Sequence, residues 1–222
     1  MQLSDWWFAY WQWNSSSDLY ITPYVLRSLV YMKKSWIDID EKVIEKATTY
    51  LEKNLEKASD NVQKSEIFWA LKAAWKNPNL VMEPLKLDRH SLIAYTYWLV
   101  LSDKKDIWLI KSNIELIKKK ITESDSNWYW DTTSDKAIFA SMLLDLKDSN
   151  YDSYIEDLIA DLYLYDWSSY YYSTQSKNNA FIAFYKYLEK NKSKFKANFS
   201  FRLWNFSDNK KYNLGWDNLN ML

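Results

Sequence analysis

The stretch SLIAYTYWLVL, at residues 91–101, decides the fold because it carries no charged side chain. A helix that is apolar on every side must be covered by protein all round. The stretch is also far shorter than the roughly 20 apolar residues that a membrane-spanning helix needs. It therefore predicts a helix in the interior of a globular domain, with further helices packed around it.

Four more segments are nearly as apolar, and amphipathic segments alternate with them. The apolar segments are residues 24–32, 67–75, 137–146 and 180–188. The first two hold a single charged residue each, Arg27 and Lys72. The amphipathic segments place these apolar side chains at helical spacing: Val43, Ala47, Tyr50, Leu51 and Leu55; Ile107, Ile110, Ile114, Ile117 and Ile121; Tyr151, Tyr154, Ile155, Leu158 and Leu162. The alternation predicts an all-α fold built from two layers of αα-hairpins.

Each buried segment begins with a serine or threonine, and these residue types are preferred at helix N-caps. They are Thr22, Ser65, Ser91, Thr133 and Thr174, which lie 43, 26, 42 and 41 residues apart. A nearly constant interval that breaks once is typical of a repeated helix pair. If the buried helices run parallel and the amphipathic helices return outside them, the repeats form an α/α toroid. The alternative is a right-handed superhelical α-solenoid, which uses the same hairpins without closing a ring.

The pattern of apolar and polar residues changes near Asn191. Apolar residues then alternate with polar ones, which is the periodicity of a strand: Phe195, Ala197, Phe199, Phe201 and Leu203. A single strand is not stable alone. We therefore predict a helical domain over residues 1–190 and a β-type segment over residues 191–222, where a following β domain starts.

The composition excludes several classes of functional site. The chain has one glycine among 222 residues, so glycine-rich phosphate loops cannot form. It has no cysteine and one histidine, His90, which excludes thiolate and multi-histidine metal sites. The 29 basic and 29 acidic residues balance, leaving no electrostatic footprint for nucleic acid or an anionic membrane. We expect no cofactor, no metal, no nucleic-acid partner and no membrane insertion.

Several segments, taken in order, carry a resemblance to a known family. They are FAYWQWN at 8–14, SDLYITPYVLRSL at 17–29, DTT at 131–133, Trp167, YSTQS at 172–176 and AFIAFYKYL at 180–188. Their order and spacing resemble the thioester-domain region of the bacterial alpha-2-macroglobulin family over residues 5–190. The resemblance implies an α/α toroid like that of terpenoid cyclases and protein prenyltransferases.

The same resemblance implies a role in trapping proteases. In that family, cleavage of a bait region elsewhere releases a rearrangement in which the thioester domain swings to bind or enclose the protease. The implied partners are target proteases and neighbouring β domains, in the periplasm, in the cell envelope or outside the cell. The thioester needs a Cys-x-Glu-Gln motif, and this chain has no cysteine. The loop ASDNVQ at 58–63 also lacks the histidine of complement-type relatives. We expect a non-catalytic domain of an endopeptidase inhibitor.

Two rivals from other classes remain open. Asp131 and Asp166 lie beside tryptophans and are conceivable as the acid and base of a carbohydrate-active enzyme, or the protein binds carbohydrate in an aromatic cleft. The second rival is an interaction scaffold without inhibitory activity. Neither rival involves the glycine-dependent or metal-dependent chemistry that the composition excludes.

Two acidic motifs have both a functional and a structural interpretation. Residues 38–41, DIDE, resemble the acidic motif of toroid-fold terpene cyclases but depart from its D-x-D-D pattern at Glu41. We favour the structural interpretation, in which Asp40 caps the next helix. Residues 88–91, DRHS, could supply a lone base through His90. The structural interpretation is a solvated capping stretch, and we favour it.

The aromatic clusters before three of the caps are the candidate binding residues: Trp11, Trp13, Trp128, Trp130 and Trp167. Parallel inner helices would gather these tryptophans at the end of the domain where those helices begin. We predict that most of them pack against helix ends and that a minority is exposed as a docking surface for neighbouring domains.

Replacement of a packed tryptophan by alanine should lower the free energy of unfolding by about 3–5 kcal/mol. We expect this loss for Trp13→Ala and Trp130→Ala, measured by thermal melts of the isolated domain. Unchanged melting temperatures for both variants would show that these loops do not pack against the helix ends. That result would favour the carbohydrate-binding rival.

Overall fold

The computed structural model describes residues 18–35, 37–78, 81–124, 132–164 and 174–192. In this part of the chain 81% of the residues are helical and none lies in a strand, so the all-α prediction is confirmed there. The predicted β-type segment falls, apart from its first two residues, outside these ranges. The helices are α1 Ile21–Lys34, α2 Glu41–Asn54, α3 Asn61–Ala73, α4 Arg89–Leu101, α5 Ile107–Ser124, α6 Thr132–Leu146, α7 Asp152–Leu164 and α8 Thr174–Lys190.

The helices form an inner row and an outer layer. In the inner row, α1 packs on α3, α3 on α4, α4 on α6, and α6 on α8. In the outer layer, α2 covers α1 and α3, α5 covers α4, and α7 covers α6 and α8. The predicted alternation of buried and amphipathic helices is thus confirmed. In the described residues of the connection between α3 and α4 the only helical element is a 3-10 turn, Pro84–Lys86, where the other repeats have an outer helix, and this explains the short 26-residue interval.

The inner helices run parallel. Their side-chain contacts join positions at the same height along the row: Glu66 with His90, Ser134 with Asn179, Lys72 with Asp103, and Lys186 with Asp145. The outer helices run the other way, because Lys136 near the start of α6 meets Asp161 near the end of α7. The inner helices therefore begin at one end of the domain, which we call the start end.

Aspartates, and not the predicted serines and threonines, cap the first three inner helices. Asp60 Oδ1 accepts from the Gln63 amide at 2.8 Å, and Asp88 Oδ1 accepts from the Ser91 amide at 2.9 Å. Asp18 Oδ1 accepts from two amides at the start of α1. The predicted caps Thr22, Ser65, Ser91 and Thr133 all lie inside their helices. The carboxylate prevails because it accepts hydrogen bonds from the free amides and its charge favours the positive helix end.

Two inner helices end on residues with left-handed backbone. Trp75, just after α3, has φ 63°, and Lys147, just after α6, has φ 59°. Glycine usually occupies such positions, but the only glycine of the chain is Gly215. After α3 the left-handed turn is closed by a hydrogen bond from the Lys76 amide to the Leu71 carbonyl at 2.9 Å.

The hydrophobic core consists of two clusters that meet at α3. Ile67 and Leu71 of α3 join the cluster formed with α1 and α2, whereas Trp69 joins the larger cluster of α4 to α8. This explains why α3 is apolar on nearly every side. The predicted apolar faces of the outer helices are confirmed apart from two positions, since Ile44 is buried in place of Val43 and Ile107 is exposed.

Helix α8 departs from the prediction that residues 180–188 are covered on every side. Ala180 and Ala183 are buried against the row, but Phe181, Tyr185 and Leu188 are exposed among the described residues. The exposure reflects the position of α8, which is the last helix of the described inner row and packs extensively on only one inner helix, α6. None of the helices described is both long enough and apolar enough to span a bilayer.

Candidate binding site

A chain of charged side chains crosses the inner row near its start end. Arg27 of α1 donates from Nη1 to Glu66 of α3, and the other Glu66 oxygen lies 3.0 Å from His90 Nε2. The opposite ring nitrogen of His90, Nδ1, lies 2.7 Å from Asp135 Oδ1 of α6. Arg89 Nε completes the chain with a bond of 2.6 Å to Asp135 Oδ2. Five ionisable groups on four helices thus form one connected line.

Both carboxylates of this chain are buried yet ionised. Burial alone would raise the pKa of Glu66, but the charges and hydrogen bonds of Arg27 and His90 overcome it and lower the pKa to about 2. Burial likewise acts to raise the pKa of Asp135, and bonds to His90 and Arg89 lower it. A buried charge is tolerated only when it is paired and hydrogen-bonded, and each of these carboxylates has two cationic partners.

His90 is the link between the two carboxylates. Burial would lower its pKa, but hydrogen bonds to Asp135 and Glu66 and their negative charges raise the pKa to about 10. At neutral pH the ring is therefore an imidazolium that donates from both nitrogens. The interpretation of residues 88–91 as a solvated capping stretch is right for Asp88 and wrong for Arg89 and His90. A ring that is protonated at neutral pH is also unsuited to act as a base there.

A stack of Arg27, Trp69 and Tyr97, which we call the aromatic step, connects the charge chain to the interior of the inner row. The guanidinium of Arg27 lies over the Trp69 ring, 3.7 Å from its centroid. Trp69 in turn stacks on Tyr97 of α4, with centroids 4.7 Å apart and planes 29° from parallel. A desolvated cation over an aromatic face is a favourable contact, so the step joins Arg27 to the larger core cluster.

A second polar cluster lies beyond Tyr97. The Tyr97 hydroxyl donates to Asp145 of α6, and Lys186 of α8 donates to the Tyr97 oxygen at 2.7 Å and to Asp145. Burial raises the pKa of Tyr97, with the Asp145 charge adding to it, so the phenol stays protonated. Burial lowers the pKa of Lys186, although Asp145 opposes this effect.

A cavity of about 90 Å³ is lined by residues of both polar clusters. All five inner helices contribute to its wall, including Arg27 and Tyr31 of α1, Trp69 of α3, Tyr97 of α4, Ser141 of α6 and Lys186 of α8. Tyr31 and Tyr185 meet edge to face across the row, with ring centroids 6.0 Å apart. The cavity combines cationic, hydroxyl and aromatic groups in one place, which makes it the candidate binding site.

Most of the residues singled out from the sequence fall outside the part of the chain that the structure describes. Trp11, Trp13, Trp128, Trp130 and Trp167 are outside the described residues, and so are Asp131 and Asp166. The acidic motif at 38–41 is structural: Asp40 accepts from the Lys42 amide at 2.9 Å and caps α2, while Glu41 pairs with Lys33. No group of three or more potential metal ligands is found within the described ranges.

Sequence reasoning missed the charge chain and the cavity. The available signal was the isolated charge on each otherwise apolar helix, because a buried charge needs a partner. Arg27, Lys72, Asp145 and Lys186 are such charges. Which charges meet depends on how each helix is rotated about its axis, and the spacing of residues along the chain does not give that rotation.

Comparison with protein-family models, with curated proteins and with solved structures returns no match for this chain.

Removal of the Glu66 charge should strongly destabilise the fold. Within the described part of the chain, Glu66→Gln removes the only ionic partner of Arg27 and leaves His90 with Asp135 alone, and breaking a buried ion pair costs about 3–5 kcal/mol. The matched control is Glu83→Gln, which breaks an exposed pair with Lys86 that is worth about 0–1 kcal/mol. Denaturant unfolding of both variants measures the difference. Equal losses would mean that the charge chain does not hold the helices together.

The stability of the protein should fall on both sides of neutral pH. The pKa of His90 is raised from 6.5 to about 10 by folding, so its contribution is complete below pH 6.5 and is lost as the pH rises to about 10. The pKa of Glu66 is lowered from 4.5 to about 2, so its contribution is complete above pH 4.5 and is lost toward pH 2.

Thermal melts from pH 6.5 to 9 test the alkaline limb. We expect the melting temperature of the wild type to decline over this range and that of His90→Gln to change much less, because only the wild type loses the imidazolium. Parallel curves for the two proteins would contradict the assigned role of His90.

Proposed function

We propose that this chain forms a non-catalytic α/α-toroid domain of an alpha-2-macroglobulin-like endopeptidase inhibitor, which takes part in protease trapping at the cell envelope. The observation that carries the proposal is the row of parallel inner helices backed by returning outer helices, in the order of the segments that resemble that family. The comparisons neither favour nor oppose it.

Two observations favour a closed ring over an open solenoid. Tyr31 of α1 and Tyr185 of α8 are in edge-to-face contact, although they belong to the first and last inner helices described. The cavity is also lined by every one of these inner helices. In an open solenoid each repeat contacts only its neighbours, so the first and last inner helices would lie apart.

The charge chain supports a domain that moves as a rigid unit. Glu66, His90 and Asp135 join three inner helices, and each is saturated by ionic partners. A nucleophile or general base needs a group that can exchange its proton near neutral pH, and His90 with a pKa of about 10 does not do so. A helical body that is locked in this way suits a role in which the whole domain swings after cleavage elsewhere.

The docking surface that we propose for the neighbouring β domains is the start end of the ring. The inner helices begin there, and the clusters with Trp11, Trp13, Trp128, Trp130 and Trp167 precede three of them along the chain. Indole side chains bury large apolar areas and are enriched at interfaces. The proposal thus assigns them to contacts within the parent protein.

The test begins with the complete gene product. We expect β-sandwich repeats and a secretory signal to accompany this domain, and a reading frame that holds this domain alone would argue against the proposal. The purified full-length protein is then incubated with proteases of different specificity. A trap should protect a large protein substrate while the protease still cleaves a small peptide substrate.

A matched control is the same full-length protein with residues 1–190 deleted, which should lose the protection. Retained protection would show that this domain is dispensable. Hydrolysis of glycans by the 222-residue chain, lost in Asp131→Asn and Asp166→Asn, would instead establish the carbohydrate-active rival.

A further inference from the structure

Three buried polar atoms on the residues that line the cavity have no hydrogen-bond partner among the described residues. They are Arg27 Nη2, Tyr31 Oη and Ser141 Oγ, from α1 and α6. Ser35 lies close enough to Tyr31 to lower the pKa of its hydroxyl slightly, against the larger effect of burial. The contact between the two side chains does not meet the geometry of a hydrogen bond. Buried polar groups in native proteins are almost always satisfied, and each exception calls for an explanation. The concentration of such atoms around one cavity points to a ligand.

All three atoms can donate to an anion. Arg27 donates to Glu66 from Nη1, so the hydrogens on Nη2 are available to a ligand. Burial raises the pKa of Tyr31 well above its usual value, so its hydroxyl keeps its proton. The hydroxyl of Ser141 is also a donor. A guanidinium edge and two hydroxyl groups match the acceptors of a carboxylate.

The charges around the cavity suit a single negative charge. Lys34 and Lys186 both line it, and the positive charge of Lys34 contributes to lowering the pKa of Lys186 after the larger effect of burial. Arg27 is balanced by Glu66, and Lys186 by Asp145, which leaves Lys34 as the excess cation of the lining. The second charge of a dianion such as phosphate would have no excess cation in the lining and would face Asp145, so a monoanion fits better.

The remaining wall suits a small apolar group. The stacked pair of Trp69 and Tyr97 forms one side, and Val30, Leu101 and Ile138 add aliphatic surface. A cavity of about 90 Å³ has room for a ligand of only a few heavy atoms.

We propose that the cavity binds a small organic monocarboxylate, with its carboxylate held by Arg27, Tyr31 and Ser141 and its apolar body against Trp69 and Tyr97. This site is separate from the trapping role and does not depend on it. The domain would thus carry a ligand inside its ring, at a point where α1, α3, α4, α6 and α8 all meet.

The test is a titration of the full 222-residue chain with acetate, propionate and butyrate at constant ionic strength, followed by NMR and thermal shift. Propionamide is the neutral control of the same shape as propionate, and inorganic phosphate is the dianion control. We expect at least one carboxylate to bind roughly ten times more tightly than propionamide and phosphate, because hydrogen bonds to charged groups are the stronger ones.

Two variants separate binding from folding. Tyr31→Phe and Ser141→Ala remove hydroxyls that make no hydrogen bond in the described structure, so neither should lower the melting temperature of the ligand-free protein appreciably. Each should weaken the best carboxylate roughly tenfold. Tyr163→Phe, on the exposed face of α7, is the matched control and should bind as the wild type does.

Three results would overturn the proposal. The first is that no carboxylate of the panel binds. The second is that propionamide or phosphate binds as well as the carboxylates do. The third is that both hydroxyl variants keep wild-type affinity, which would place any binding outside this cavity. None of these results bears on the protease-trapping test, which uses the full-length protein.

Discussion

The double bridge from His90 to Glu66 and Asp135 is the interaction on which the arrangement of the inner helices depends. The ring lies between carboxylates of α3 and α6, and both bonds form only if α4 stands between them at the right height and rotation. Arg27 and Arg89 then neutralise the outer sides of the two carboxylates. Apolar packing alone tolerates some sliding of one helix along another, whereas a line of buried ion pairs does not. The line therefore fixes the register of α1, α3, α4 and α6 against one another.

The two core clusters explain why α3 needs a particular side chain on each of its faces. One of its faces carries Ile67 and Leu71 toward α1 and α2, and another carries Trp69 toward α4. Glu66 lies on the same helix and joins the charge chain. Polar and apolar contacts on different faces of one helix thus tie the two clusters together, which makes a separate melting of either cluster unfavourable.

Much of the helical pattern was predictable from the sequence, because it depends on periodicity. The free face of α2 and the buried isoleucines of α5 follow from a repeat of 3.6 residues, and the missing outer helix after α3 is visible as a short interval. The caps were mispredicted because serine, threonine and aspartate compete for the same role, and the aspartates Asp18, Asp60 and Asp88 stand a few residues upstream. The partners of His90 were not predictable, since they lie 24 and 45 residues away and meet only through helix rotation.

The left-handed residues after α3 and α6 have a consequence for the autonomy of the repeats. A left-handed conformation costs an ordinary residue about 1–2 kcal/mol, and here Trp75 and Lys147 adopt it without the relief that glycine gives. The hydrogen bond from the Lys76 amide to the Leu71 carbonyl offsets part of this cost after α3, and packing against neighbouring helices supplies the rest. An excised hairpin would keep the strained residue and lose that packing. The helix pairs of this domain are in that sense weaker as separate units than within the assembled row.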